Sequence, residues 1–331
     1  MRPHCLAIIL LVASSAAPQE LPCNRAIPVN VVLPNGGLIR RLPGDGFVAQ
    51  DKKEPIRIQS VTTDTGPRRI VFVAEDGKPM PKAARKIESE VILDILSKAR
   101  AEDSFALVSA RGPEEKVQFG ASRDAVKAAA QELENQPKGK NREEGVLDAL
   151  LEATTWLQPP RPGDSIVLIT MGLESPHEAG FSKVRRALAD GRIRVFGFLL
   201  GQLVAGYSSP TPINVTLATG GMFMPTDGIS LNRENVFALA LSSGGVVSQE
   251  NTDSPFREYK LTDDRLRSLE HSGEQMYKAI TEYYLVDLAS PSPDLVIDLA
   301  APIRSQLPKA TVLYPRLLPD CPAGAKGGSN P

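Results

Sequence analysis

The chain has 331 residues, and its 38 Lys and Arg nearly balance its 39 Asp and Glu, for a formal net charge of −1. A near-neutral chain has no bulk electrostatic attraction to nucleic acid or to an anionic membrane surface, which disfavours both as partners. Hydrophobic residues make up 42% and charged residues 23% of the chain. This composition is typical of a soluble globular protein and excludes a disordered chain, a coiled coil and a multi-span membrane protein.

The first residues have the order of a secretory signal peptide. Arg2 is followed by an apolar run from Cys5 to Val12 and then by small residues up to Ala17. The run is too short to span a bilayer, which takes roughly 20 residues. We expect residues 1–16 to be removed by cleavage after Ala16, giving a secreted or periplasmic protein without a transmembrane segment. The alternative is an uncleaved N-terminal anchor.

Two cysteines, Cys23 and Cys321, remain near opposite ends of the mature chain. An oxidising compartment allows them to form a disulfide, which in the chain-entropy model contributes on the order of 4 to 5 kcal/mol for so long a loop. The alternative is that both stay free, because sequence alone does not show that the chain ends meet. With few histidines to partner them, a metal or catalytic role is disfavoured.

Residues 27–66 predict a small N-terminal β unit. A β-prone stretch from Ile27 to Leu33 precedes the turn Pro34-Asn35-Gly36-Gly37, and an Asn-Gly pair after an apolar run is a hairpin signal. Short β-prone stretches follow near residues 47–48 and 56–58.

From residue 67 onward, continuous apolar runs alternate with segments of helical period. Runs of strand length without polar alternation indicate strands buried on both faces of a sheet, and they lie at residues 70–74, 166–170 and 194–200. The helical segments include 82–98, one that starts at Ser122, 147–157 and 266–281. This order predicts an α/β domain over residues 67–290, with a doubly wound, mostly parallel sheet and helices on both faces.

The C-terminal part adds further β-prone pieces. A strand is predicted at 282–288, and pieces at 295–299 and 311–314 predict a C-terminal β extension over residues 291–315. The extension either lengthens the sheet edge or pairs with the N-terminal β unit, and a Cys23–Cys321 link favours the second. Residues 316–331 are predicted to form a disordered tail.

Six stretches follow one another in an order that matches a known domain family. They are Ile70 to Met80, Phe105 to Phe119, Glu143 to Leu150, Ile166 to Glu174, Leu217 to Met224 and Tyr283 to Leu288. They resemble the von Willebrand factor A-type domain, and specifically the VWFA-related secreted proteins frequent in acidobacteria. In that group a leading strand ends in Asp-x-Ser-x-Ser-Met, a helix reads Ala-Leu-Tyr-Asp-Ala-Leu, and a later strand ends in Thr-Asp-Gly. The resemblance covers most of residues 27–315.

The resemblance implies a metal-ion-dependent adhesion site at the carboxyl ends of the strands, where Asp, two Ser, Thr and a second Asp hold Mg²⁺. In this sequence those positions fall on Glu75, Gly77, Pro79, Glu144 and Met171. Gly77 and Pro79 have no side-chain oxygen and Met171 offers a thioether, so Glu75 alone keeps the ligand chemistry. We therefore expect a von Willebrand A-like fold with a degenerate adhesion site and no metal cofactor.

The rim that would carry the metal remains the predicted partner-binding surface, because loops at the carboxyl ends of parallel strands bind ligands in this architecture. The partner is expected to be another protein, and the expected rim residues are Glu75, Asp76, Lys78, Glu144, Met171 and Glu174. The alternative is an adhesion module whose Mg²⁺ or Ca²⁺ site is rewired onto the acidic members Glu75, Asp76, Glu144 and Glu174.

The sequence carries no recognisable catalytic constellation. Outside the leader its histidines are His177 and His271, no Gly-x-Ser-x-Gly elbow surrounds a serine, and no phosphate-binding glycine loop follows a strand. We expect a protein that is not an enzyme. The remaining alternative, an unrecognised hydrolase, predicts a cluster of perturbed pKa values inside an apolar pocket.

Overall fold

The computed structural model describes residues 24–33, 37–75, 82–110, 116–135, 145–172, 178–200, 228–250, 263–289 and 294–316. Within them the strands are β1 (Asn24–Val32), β2 (Phe47–Asp51), β3 (Glu54–Ile56), β4 (Ile58–Asp64), β5 (Arg69–Ala74), β6 (Ser104–Ser109), β7 (Lys116–Val117), β8 (Ser165–Thr170), β9 (Arg194–Leu200), β10 (Val247–Glu250), β11 (Tyr283–Ala289), β12 (Leu295–Leu299) and β13 (Thr311–Leu313). The helices are α1 (Lys82–Lys98), α2 (Arg123–Asn135), α3 (Val146–Trp156), α4 (Glu178–Gly191), α5 (Gly228–Ser242), α6 (Asp263–Thr281) and α7 (Ala301–Gln306).

A mostly parallel sheet forms the centre of the α/β part. Its strand order is β10-β9-β8-β5-β6-β7, and only the edge pair β6–β7 is antiparallel. From β5 the order runs outward in both directions, through β8 and β9 on one side and β6 on the other, which is the doubly wound arrangement. The predicted fold class is therefore confirmed.

Helices cover both faces of this sheet. Helices α1, α2 and α6 pack on the face presented by Phe72 and Phe196, and helices α3, α4 and α5 pack on the face presented by Val71 and Val195. Every residue of β8 and β9 is buried. Burial on both faces explains why the sequence of these strands is a continuous apolar run.

The predicted helices are confirmed, and one of them shows its start signal directly. At the N-terminus of α2, the Ser122 hydroxyl accepts a hydrogen bond of 3.1 Å from the Ala125 N–H, as expected of an N-cap. Helix α5 occupies a region to which the sequence assigned no element. Helix α7 is a short addition between β12 and β13.

The remaining strands form a β-sandwich of two antiparallel sheets, with strand orders β13-β1-β11-β4 and β12-β2-β3. Val29 and Val286 from the first sheet share one apolar core with Phe47 and Ile297 from the second. Of the two places left open for the C-terminal extension, pairing with the N-terminal unit is correct, because β12 pairs with β2 and β13 pairs with β1.

The structure places β11 in the sandwich, whereas the sequence groups it with the α/β part that extends to residue 290. Strand β11 lies between β1 and β4, with Val286 opposite Ile27 on one side and Val61 on the other. Tyr284, Val286 and Leu288 all pack into the sandwich core. This period of two is typical of a strand whose two faces meet different surroundings.

Several predictions lie outside the described residues: the signal peptide over 1–16, the Asn35-Gly36 turn, the Cys23–Cys321 disulfide and the tail beyond residue 316. Among the described residues, an antiparallel bridge joins Val32 and Leu38. In the part of the chain that the structure describes, no helix is both long and apolar enough to span a membrane.

Candidate functional site

The carboxyl ends of β5 and β8 are adjacent at one edge of the parallel sheet, because the two strands are neighbours with Ala74 opposite Ile169. Glu75 directly follows β5, and Met171 directly follows β8. The Glu75 N–H extends the strand pairing by donating to the Ile169 carbonyl at 3.0 Å. Two of the predicted rim residues, Glu75 and Met171, are thereby brought side by side.

The Glu75 carboxylate reaches across to the end of β8. Its Oε2 accepts a hydrogen bond of 2.6 Å from the Met171 N–H and another from the Thr170 hydroxyl. The Thr170 oxygen also accepts from the Gly172 N–H at 2.9 Å, and the Gly172 carbonyl lies 2.7 Å away as a competing acceptor for its single proton. Glu75 therefore ties the ends of the two strands together.

The Met171 side chain is partly buried and packs against the apolar core between the sheet and helices α1, α2 and α6. A thioether suits such apolar surroundings, because the flexible methionine side chain fills space between aliphatic side chains. Among the other predicted rim residues, Asp76, Lys78, Glu144 and Glu174 lie outside the described residues.

Helix α3 begins near the same edge. Arg69, at the start of β5, donates to the Leu157 carbonyl at 2.8 Å, and Leu157 is the C-cap of α3. Helix α3 therefore runs antiparallel to β5, so its first residue, Val146, lies toward the edge that carries Glu75. The aligned peptide dipoles of a helix favour negative charge near its N-terminus.

The donor set at this edge does not fit the Mg²⁺ site that the resemblance implies. Mg²⁺ prefers near-octahedral oxygen ligation, but Met171 supplies no side-chain oxygen and the Glu75 Oε2 already accepts two hydrogen bonds. Gly77 and Pro79 bring no side-chain oxygen by their identity. Over the described ranges, no group of three or more His, Cys, Asp or Glu side chains lies close enough together to hold a metal ion.

Thr170 is a residue of this site that the sequence did not predict. The corresponding stretch of the resembled family reads Thr-Asp-Gly, whereas this chain reads Thr170-Met171-Gly172. Retention of the threonine beside the lost carboxylate was the available signal. With methionine in place of aspartate, the threonine hydroxyl and the Met171 N–H both use Glu75 as their acceptor.

A second group of charged side chains, also missed, lies at the opposite edge of the sheet, where the α/β part meets the sandwich. Arg68 and Arg194 are 1% and 0% exposed. Their guanidinium carbons lie 4.7 and 4.1 Å from the centroid of the Tyr283 ring. Arg68 also forms an ion pair with Asp64 at 3.0 Å. We call Asp64, Arg68, Arg194 and Tyr283 the joint cluster.

The two arginines of the joint cluster also satisfy the C-terminus of α6. Arg194 donates to the Ile280 carbonyl at 2.8 Å, and Arg68 donates to the Thr281 carbonyl at 3.2 Å. Cations stabilise this end of a helix because its carbonyls carry partial negative charge. Burial lowers the pKa of Arg194 to about 10, so the side chain stays charged at neutral pH. These contacts give the cluster a structural role.

Comparison with known proteins gives structural neighbours only. No family model matches the chain, and no curated protein matches it. A von Willebrand factor type A protein from Catenulispora acidiphila is similar with a TM-score of 0.41 and 14% identity, over 79% of this chain and 51% of that one. This chain thus spans about half the length of that protein.

Two further similar structures come from Bacteroides. An aerotolerance-related membrane protein from Bacteroides fragilis is 14% identical with a TM-score of 0.42, over 65% of this chain and 98% of that one. The conserved hypothetical protein BatB from Bacteroides thetaiotaomicron is 17% identical with a TM-score of 0.37, over 64% and 100%.

Proposed function

We propose that this chain is a secreted or periplasmic, non-enzymatic module that binds another protein without a metal ion. The binding surface is the rim formed by residues 75–80, 138–145 and 171–180. The proposal rests on the hydrogen bonds that Glu75 accepts from Thr170 and Met171 at the end of β8. They engage the carboxylate that falls on the first metal-ligand position in a structural contact between two strands. The resemblance to von Willebrand A-type domains supports an interaction role, since loops at this edge are the binding loops of such sheets.

The charge of the rim indicates the chemistry of the partner. By sequence, the segments 75–80 and 171–180 of the rim carry four carboxylates, Glu75, Asp76, Glu174 and Glu178, against one lysine, Lys78. The segment 138–145 is mixed, with Lys138, Lys140 and Arg142 beside Glu143 and Glu144. An acidic surface associates fastest and most specifically with a basic one. The partner surface is therefore expected to present lysine or arginine side chains opposite the acidic segments 75–80 and 171–180.

Capture from the native envelope fraction tests the proposal. The bait is the tagged mature chain, compared with the double variant Asp76→Lys and Glu174→Lys. The matched control is Asp124→Lys and Glu132→Lys, which makes the same change in charge at two exposed positions of α2. We expect a partner that the wild type and the control retain and that the rim variant loses. Equal capture by all three chains contradicts the assignment of the rim.

Calorimetry tests the metal-free part of the proposal. The mature chain is titrated with Mg²⁺, Mn²⁺ and Ca²⁺, alongside Glu75→Gln, which removes the charge of the leading carboxylate and keeps its size. We expect no saturable heat from either chain. Saturable heat in the wild type that disappears in Glu75→Gln supports the rewired metal site instead, because hard divalent cations require the anionic oxygen.

A further inference from the structure

The sandwich has one long strand edge that no described strand covers. Strand β4 is the end strand of its sheet and has 7 residues. The other end strands in the described part of the chain are shorter: β13 and β3 have 3 residues, β7 has 2, β10 has 4 and β12 has 5. The outward N–H and C=O groups of an uncovered strand pair readily with another strand.

Strand β4 also lacks most of the features that block such pairing. From Ile58 to Thr63 it contains no charged residue and no proline, although proteins commonly place lysine or proline on an exposed edge. Strand β3 shows the contrast, because it contains both Glu54 and Pro55. The irregularity in the pairing of β4 with β11 falls between Ile58 and Ser60. The stretch from Ser60 onward remains regular.

The one charge on this strand is neutralised inside the protein. Asp64 forms an ion pair with Arg68 and accepts a hydrogen bond from Tyr283. Like charges directly opposite each other destabilise a strand pair. Two copies of β4 therefore approach each other without electrostatic repulsion from their own side chains.

We propose that β4 pairs with β4 of a second copy of this chain. The sheet β13-β1-β11-β4 of one copy then continues into the same sheet of the second copy across a two-fold axis. An antiparallel pairing centred on Thr62 sets Thr62 opposite Thr62 of the second copy and Val61 opposite Thr63 of the second copy. Such β-branched residues favour each other across strands. A two-fold contact of this kind is closed and produces a dimer, not a filament.

A cleft beside β4 adds apolar burial to this pairing. It has a volume of about 860 Å³ and lies between β4 and the second sheet, with Phe47, Ile56 and Leu299 among its apolar lining. Residues 58–61 line the cleft and also form part of the edge. A strand added beside β4 therefore lies along the cleft and removes part of its apolar surface from water.

The first test is the mass of the mature chain in solution over a wide range of concentration, by light scattering and sedimentation. The wild type is expected to be a dimer. Ser60→Lys with Thr62→Lys, at two exposed positions of the edge, is expected to raise the dimer dissociation constant by about tenfold or more. The control Ala128→Lys with Gln131→Lys adds the same charge on exposed positions of α2 and should stay dimeric. Circular dichroism checks that both variants fold.

The second test fixes the register by cross-linking. Thr62→Cys is expected to form a disulfide between copies under mild oxidation, whereas Ala128→Cys is expected not to. The parent chain with Cys23 and Cys321 sets the background. A wild type that stays monomeric at every concentration overturns the proposal and leaves the edge to an extended segment of another protein. A dimer that survives Ser60→Lys with Thr62→Lys overturns it as well.

Discussion

The Tyr283 hydroxyl donates a hydrogen bond of 2.5 Å to Asp64 Oδ2, and the two residues lie directly opposite each other on β11 and β4. The same tyrosine ring lies against the guanidinium groups of Arg68 and Arg194. Arg194 is the first residue of β9, and Arg68 immediately precedes β5. One side chain of the sandwich thus contacts the start of two strands of the parallel sheet, which holds the two parts of the protein together.

Replacing Tyr283 by phenylalanine tests the hydrogen bond while keeping the ring between the arginines. Asp64 then loses a donor in a site where its side chain is 15% exposed. We expect the free energy of unfolding to fall by about 1–3 kcal/mol, measured by urea denaturation at neutral pH. Tyr314→Phe is the matched control, because that hydroxyl donates a longer bond of 3.3 Å to a neutral carbonyl. Equal losses in the two variants would show that the carboxylate acceptor contributes nothing.

The pKa values of two carboxyl groups, Asp64 of the joint cluster and Asp103 beside Arg68, predict how stability depends on pH. Burial raises the pKa of Asp64, but hydrogen bonds from Tyr283 and the Gly66 N–H, together with the charge of Arg68, bring the net pKa below its ordinary value. Burial likewise raises the pKa of Asp103, and hydrogen bonds from Arg100 and Tyr277 outweigh it. The folded pKa values thus lie below the unfolded value of about 3.9.

Because the depressed pKa values belong to the folded state, their contribution to stability is fully present above the unfolded pKa. It is lost as the pH falls through the folded pKa values. We expect the free energy of unfolding from urea titrations to decline below about pH 4. Asp64→Asn should lower stability at neutral pH and flatten this decline. If the free energy of unfolding declines equally steeply below about pH 4 in the wild type and in Asp64→Asn, Asp64 does not cause the decline.

The sequence predicted the parallel sheet well because burial on both faces leaves a pattern that needs no long-range information. Residues 166–170 and 194–200 are apolar throughout or nearly so, and they are central strands. The joint cluster had no such pattern. Arginines such as Arg68 and Arg194 are usually exposed, and their burial depends on Tyr283, which is distant in the chain.

At the candidate site, the resemblance predicted which strand ends meet but not the direction of the side chains. It placed Glu75 and Met171 at one edge, and the structure brings them together there. The hydrogen bond between Thr170 and Glu75 depends on the rotamer of the glutamate, which no spacing or periodicity encodes.

Replacing Arg194 by methionine tests its role at the C-terminus of α6. The change keeps a long apolar side chain but leaves Asn30 Oδ1 and the Ile280 carbonyl without their donor. We expect a loss of roughly 3–5 kcal/mol in the free energy of unfolding, and a smaller loss for Arg194→Lys, which keeps the charge. Arg192→Met, at an exposed position nearby, should change stability little. A comparable loss of stability in Arg192→Met would show that any replacement of arginine by methionine here has this effect, and that the buried hydrogen bonds of Arg194 do not cause it.

The hydrogen bond at the candidate site is tested by Thr170→Val, which keeps the branched shape and removes the hydroxyl. Because the acceptor is the Glu75 carboxylate, we expect a loss of about 1.5–3 kcal/mol in thermal or urea unfolding. Thr155→Val is the control, since that exposed hydroxyl donates only to a carbonyl of its own helix. If the two variants are equally stable, the Thr170 hydroxyl does not contribute to holding the end of β8.

Gly163 tests how tightly the joint cluster is packed. It has a φ of +87°, and a Cβ there would lie 2.7 Å from the Tyr283 Oη and 2.8 Å from the Arg68 Nη1. Gly120 has a similar φ of +96° with no atom within 4 Å of a Cβ position, so Gly120→Ala reports the backbone strain alone, of roughly 1–2 kcal/mol. Gly163→Ala is expected to cost about 1–3 kcal/mol more than that control.

Combining Gly163→Ala with Tyr283→Phe separates the steric effect from strain. Removal of the Tyr283 hydroxyl relieves one of the close contacts of the new Cβ and leaves those with Arg68, so the double variant should be more stable than the sum of the single changes predicts. Residues in contact commonly show coupling of about 0.5–3 kcal/mol in such a cycle. Strict additivity in urea denaturation would mean that Gly163 and the Tyr283 hydroxyl do not share this space, and that the arginines alone define the packing of the joint.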